Sequence, residues 1–151
     1  PDLYHELDGQ RDSHACPMAR ILEEGLAARL VQCGIRTATA HQQEQAKRFG
    51  VDSIPMRAGV GAMLKAVRGL TGPLYLSLDL DVLDPAFAPG VSHPEPGGLS
   101  SREVISLIQA VPAGTLVAAD LVELNPENDL RDLTARVAAK LLKEIVGRML
   151  A

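Results

Sequence analysis

The stretch Leu76-Ser77-Leu78-Asp79-Leu80-Asp81-Val82-Leu83-Asp84-Pro85 constrains this chain more than any other. Leu76, Leu78, Leu80, Val82 and Leu83 give it the character of a buried β-strand, yet carboxylates stand at 79, 81 and 84. Side chains two apart on a strand share a face, so a strand reading aims Asp79 and Asp81 the same way. Two ionised carboxylates side by side repel, and neither withstands burial unpaired. A divalent cation removes both costs. A D-x-D pair alone has an equally good second reading, a strand-to-loop turn whose aspartates cap nearby N–H groups.

The rest of the chain alternates helices and strands. Pro17 opens a helix expected to run to about Leu30, with Arg20, Glu23, Glu24 and Arg29 outward. A strand follows over 30–36, then a polar helix over 41–49 capped by Gly50. A second strand covers 51–56, and a helix over 60–68 ends at Gly69. The acidic strand spans 73–80. Residues 84–99 form a long loop stiffened by Pro85, Pro89, Pro94 and Pro96, and such a loop within a compact domain is usually functional. Ser100-Ser101-Arg102-Glu103 matches a capping box opening a helix to about Ala110. A strand over 115–124 and a helix over 130–149, striped by Leu133, Val137, Leu141 and Ile145, complete the pattern.

This alternation predicts an α/β fold, a parallel sheet covered on both faces. Ligands of such sheets bind beyond the carboxyl ends of the strands. Asp79, Asp81, Glu123 and the 84–99 loop all leave from that rim.

Size and composition narrow the function. The 151 residues suit one domain, residues 1–151. No apolar run is long enough to span a bilayer. The net charge of −4 is spread without a basic stripe, and aromatic content is 3% with no Trp. Neither nucleic acid nor a membrane surface is an expected partner. Cys16 and Cys33 lack metal-ligand spacing and read as reduced, buried thiols of a cytosol-like compartment. The chain opens on Pro1-Asp2 without Met, as a processed protein or a piece of a longer one would.

An oxygen-rich site suits Mg²⁺, Ca²⁺ or Mn²⁺, and an added imidazole favours Mn²⁺ or another transition metal. His5, His14 and His93 are the candidate imidazoles, and His41 reads as a solvated helix residue.

The longer run from Leu78 to Leu99, with Pro89-Gly90-Val91-Ser92-His93-Pro94-Glu95-Pro96-Gly97-Gly98, closely resembles the signature of the ureohydrolase family of arginases and agmatinases. Pro1-Asp2 with Ser13-His14 resembles the end of that family's Asp-Ala-His-x-Asp motif and its downstream histidine segment. Val122-Glu123-Leu124-Asn125-Pro126 resembles its late Glu-x-Asn-Pro element. The likeness covers the whole chain but only the later part of the family's domain.

The resemblance implies a three-layer αβα fold of the arginase/deacetylase type whose N-terminal strands are missing here. It implies two Mn²⁺ ions in the complete enzyme, with Asp2, Asp79 and Asp81 at ligand positions. It implies hydrolysis of a guanidinium C–N bond by a metal-bridging hydroxide. His14 matches the proton-transfer histidine, and Glu123 the glutamate pairing with the substrate guanidinium. Ser13 and His93 match substrate-contacting positions, as does the 3–12 loop. The Gly-Val-Ser-His form, with Ser13-His14-Ala15 and Ala19-Arg20-Ile21, is similar to plant-type arginases, which favours L-arginine as substrate over agmatine or another guanidino compound. A trimeric or hexameric homo-oligomer is implied, cytoplasmic, or organellar in a plant. The family's upstream histidine and the Asp and His preceding Asp2 in its motif are absent, so the chain as it stands is expected to bind metal weakly or to be an inactive fragment.

The remaining polar residues have plainer readings. His5 is expected to be exposed, Asp84 to fix the turn before Pro85, Asp120 to be a buried hydrogen-bonded structural group or else part of a metal's shell, Glu95 to lie on the surface and Arg36 to be structural or a subunit contact.

Overall fold

A computed structural model describes all of residues 1–151, which divide into two compact units, residues 1–57 and 58–151.

In the first unit, α1 (Pro17–Glu23) carries proline in its first turn. It is shorter than the expected run to Leu30. Gly25 takes φ +66, the Gly25 N–H donates to Leu22 O (3.3 Å), and the Leu26 N–H donates to Ile21 O (3.0 Å). This Schellman closure satisfies the end carbonyls and stops the helix. Arg29 therefore lies off the helix and pairs with Asp52 (2.8 Å). Strands β1 (Val31–Ile35) and β2 (Asp52–Pro55) pair in parallel, joined by α2 (Ala40–Arg48). Thr39 and Gln42 cap α2 reciprocally, and Gly50 at φ +64 closes it. Both cysteines are free thiols. Cys16 is buried, whereas Cys33 is only partly so, and burial pushes its thiol pKa up.

In the second unit, α3 (Gly59–Arg68) leads to β3 (Leu74–Asp79), which pairs in parallel with β4 (Leu116–Val122). Between them lie a 3-10 turn over Leu80–Val82, the 84–99 loop and α4 (Ser101–Ala110). The last helix, α5 (Leu133–Met149), packs on β4 and α4. The apolar interior includes Met63, Leu78, Leu80, Leu83, Val104, Ile105, Ile108, Leu116, Leu141 and Ile145. No helix is long and apolar enough to cross a membrane.

Two expectations change here. The buried stripe of α5 is Thr134, Ala138, Leu141 and Ile145, while Leu133 is 41% exposed. A threonine displaces a leucine from the interior because its hydroxyl accepts the buried Gly90 N–H at 2.7 Å, a donor that is costly to leave unpaired. Secondly, β3 ends at Asp79, so Asp79 and Asp81 are not a same-face strand pair. Asp79 Oδ1 accepts the Asp81 N–H at 2.8 Å, which winds the chain into the 3-10 turn.

The α4 capping box forms as its sequence predicts. The Ser100 N–H and hydroxyl each donate to Glu103 Oε2 at 2.8 Å, and Ser100 Oγ accepts the Glu103 N–H at 3.2 Å. The backbone donor, then the hydroxyl, hold the Glu103 carboxyl below its ordinary 4.5 against a smaller opposing effect of burial. The sign follows from a depressed folded value: the contribution is complete above pH 4.5 and is lost as pH falls through the lower folded value. Urea unfolding of Glu103→Ala is thus expected to show a shallower fall in stability than the parent chain in that acidic window. Equal slopes would refute it.

Candidate functional site

The register of the second unit's sheet builds the site. Asp79 pairs with Val122 across parallel strands, so the two carboxyl ends lie side by side. Asp81 follows one of them and Glu123 the other. Glu123 takes φ +70, a left-handed conformation costing a non-glycine residue about 1–2 kcal/mol. Strain of this kind gathers at working sites.

The 84–99 loop returns to the same rim because its ends are fastened. The Leu99 N–H donates to Val82 O and the Asp84 N–H to Leu99 O, both at 2.9 Å. Asp84 also fixes the turn, as expected: Oδ1 accepts the Ala86 N–H (3.0 Å), and Oδ2 accepts those of Gly97 (2.7 Å) and Gly98 (3.3 Å).

These constraints bring Asp81, His93 and Glu123 together, one donor atom from each lying within 4.8 Å of the others. Asp81 and Glu123 are partly buried and His93 is exposed. Two carboxylates and an imidazole form a hard-to-borderline donor set, which fits Mn²⁺. Among the residues expected from the sequence, Asp81, His93 and Glu123 converge, and Asp79 braces Asp81 through its N–H.

Asp120 sits inside β4. It accepts from Tyr75 Oη (2.8 Å) and Ser77 Oγ (2.7 Å), and the Tyr75 bond raises that phenol's pKa. These two hydrogen bonds accord with the first of its two readings, a hydrogen-bonded group. Glu95 is exposed.

Asp2, Ser13 and His14 belong to the first unit. Asp2 also lies at positive φ (+53), and its carbonyl accepts the Met18 and Ala19 N–H groups (3.2 and 3.4 Å). Ser13 O accepts the Cys16 N–H at 2.9 Å, which turns the chain into α1 and leaves His14 exposed. The 3–12 loop is more ordered than its composition suggests. Glu23 gathers Arg11 and Arg20 (both 2.8 Å) and His5 Nδ1 (3.0 Å). His41 is more than a solvated side chain, because Tyr4 stacks on it with centroids 5.6 Å apart and its Nε2 accepts the His5 N–H (3.2 Å).

A model of the Arginase family matches residues 1–147. The chain is 47% identical to the mitochondrial arginase of Medicago truncatula over 99% of its own length and 45% of that relative's. It is 39% identical to the guanidinopropionase of Pseudomonas aeruginosa over 89% of its length and 45% of that protein's. The solved Medicago truncatula arginase superposes with a TM-score of 0.89 at 44% identity, covering 99% of this chain and 48% of that one. That likeness bears out the three-layer αβα class. The chain spans about half the length of the relatives it matches.

Proposed function

Because the chain belongs to the arginase family, we propose that the protein it represents is a manganese-dependent ureohydrolase converting L-arginine to L-ornithine and urea. The convergence of Asp81, His93 and Glu123 donor atoms within 4.8 Å carries this reading. Asp2, Asp79 and Asp81 would hold Mn²⁺, which when bound supplies a nucleophile from water at neutral pH and charge stabilisation.

The chain's own groups supply binding and proton handling. The Glu123 carboxylate accepts the planar guanidinium fork in charge-assisted hydrogen bonds. Its nearness to Asp81 supports a guanidinium held beside those ligands. His93 and Ser13 contact the substrate, with the 3–12 loop reading its amino-acid end. The bonds joining Glu23 to His5, Arg11 and Arg20 fasten that loop, which limits the ordering cost of recognition. His14 is exposed, which suits an imidazole exchanging a proton with the leaving amine and solvent. We further propose a homo-oligomeric protein, trimeric or hexameric.

Urea release from L-arginine, agmatine and a guanidino acid, assayed with Mn²⁺ on the full-length protein, tests the assignment. Faster release from arginine is expected. Faster release from agmatine or the guanidino acid would move the assignment to that substrate, and the 39% identity to a guanidinopropionase is the reason for including the acid. No urea from any of them sinks it. Run on these 151 residues alone beside a calorimetric Mn²⁺ titration, the same assay separates turnover from metal binding without turnover.

A further inference from the structure

Of the three aspartates assigned to Mn²⁺, Asp2 alone lies in the first unit. Its φ of +53 is a left-handed conformation that a side chain disfavours. Such strain persists only where the surroundings over-determine the backbone.

Two sets of contacts do so. The Asp2 carbonyl accepts the Met18 and Ala19 N–H groups (3.2 and 3.4 Å). These are donors that the first turn of α1 leaves over, because Pro17 has no N–H and Cys16 makes no side-chain cap. Asp2 thus caps α1 from outside the helix. On the other side, Gln32 Nε2 donates to Pro1 O at 2.7 Å. Gln32 stands in β1, in register with Ser53 of β2, so its amide projects from paired backbone rather than from a loop.

That amide is a poor choice for stability alone. Gln32 Oε1 is buried and has no hydrogen-bond partner. Turning the amide over gives no relief, since two carbonyl oxygens would then face each other at Pro1. An unpaired buried acceptor costs at least as much as one neutral hydrogen bond returns. What Gln32 does supply is a fixed place for the Pro1–Asp2 peptide.

We propose that Gln32 is a positioning residue that fastens the Pro1–Asp2 peptide to β1 and so aims the Asp2 carboxylate at the metal. The proposal rests on reading Asp2 as a Mn²⁺ ligand. Gln32 acts through Asp2 alone. Partners that only orient a ligand typically change metal affinity 10–100-fold. A bond to the neighbouring carbonyl, rather than to the carboxylate itself, points to the lower end.

The test is calorimetric titration of the metal-stripped full-length protein with Mn²⁺ alone. Gln32→Met keeps the length of the side chain and removes both the donor and the unpaired oxygen. It is expected to bind Mn²⁺ about tenfold more weakly, with a urea midpoint no lower than the parent's. In an Asp2→Asn background the same substitution is expected to cause no further loss, because a residue acting through Asp2 then has nothing left to aim. If Gln32→Met binds as the parent does while Asp2→Asn binds more weakly, the positioning role is overturned and Asp2 remains a ligand. An equal loss in both backgrounds overturns it too, as the mark of a general loosening. If Asp2→Asn binds like the parent, Asp2 is no ligand and both readings fall. Should Gln32→Met fail to fold, Gln32→Leu takes its place.

Discussion

Asp81→Asn is expected to weaken Mn²⁺ binding by this chain more than about a hundredfold, since losing a partner that merely orients a ligand already costs 10–100-fold. Asparagine keeps the shape and one carbonyl acceptor but removes the negative charge. Its backbone N–H still donates to Asp79 Oδ1, so the 3-10 turn over Leu80–Val82 is retained. The electrostatics explain the size of the effect. Asp81 and Glu123 are partly buried beside each other, and a divalent ion is attracted by both charges at once where screening is weaker than in bulk water. Isothermal titration calorimetry with Mn²⁺ reads the change, and circular dichroism confirms that the fold survives. Equal affinities for parent and variant would remove Asp81 from the metal site. In the full-length protein, urea release should fall in parallel.

Leu141→Ala is expected to destabilise the chain by about 3 kcal/mol. Leu141 is 0% exposed and lies on the inner face of α5, which packs on α4 and β4. Alanine is the better helix former, so the loss comes from packing alone. Core leucine-to-alanine changes span about 2–5 kcal/mol, the spread reflecting how well the site collapses. An open groove between α4 and α5, lined by Ile105, Leu133, Val137 and Leu141, lets neighbours and water take up part of the void and argues for the middle of that range. Urea unfolding measures the difference. A cost under 1 kcal/mol would mean that α5 is not anchored through this residue.

The two outcomes bear on different levels of what the sequence reveals. Strand and helix order was legible because periodicity and caps are local: the Ser100–Glu103 box and Asp84's hold on the following turn both formed where the residues announced them. The gathering of acidic groups at one rim was also legible, since parallel topology alone puts strand ends together. Long-range pairing was not. α1 stops early because Gly25 closes it, a signal present in the sequence but set within an apolar run. Asp81 leaves the strand because the Asp79 carboxylate captures its N–H. Thr134 lies inside because its hydroxyl accepts the Gly90 N–H, and that partner is remote in sequence. The left-handed turn at Glu123 had no signal either, glutamate being an unusual residue for it. Asn125 read only as part of a motif, and its bonds to Gly90 and Ser92 emerged once the loop's position was known.

The way Asp84 closes its loop has a consequence for how such a protein diversifies. One carboxylate binds Ala86 near the start of the loop and Gly97 and Gly98 near its end, while Gly90 is tied down midway. Residues 93–96 between those anchors are all exposed. Closing a longer loop costs only about 0.6 kcal/mol per doubling of length. Insertions and replacements there leave sheet register, turn and carboxylate rim untouched. Descendants of one scaffold can thus exchange this short bridge, and with it the reach of residue 93, as a separate module while inheriting the rest unchanged.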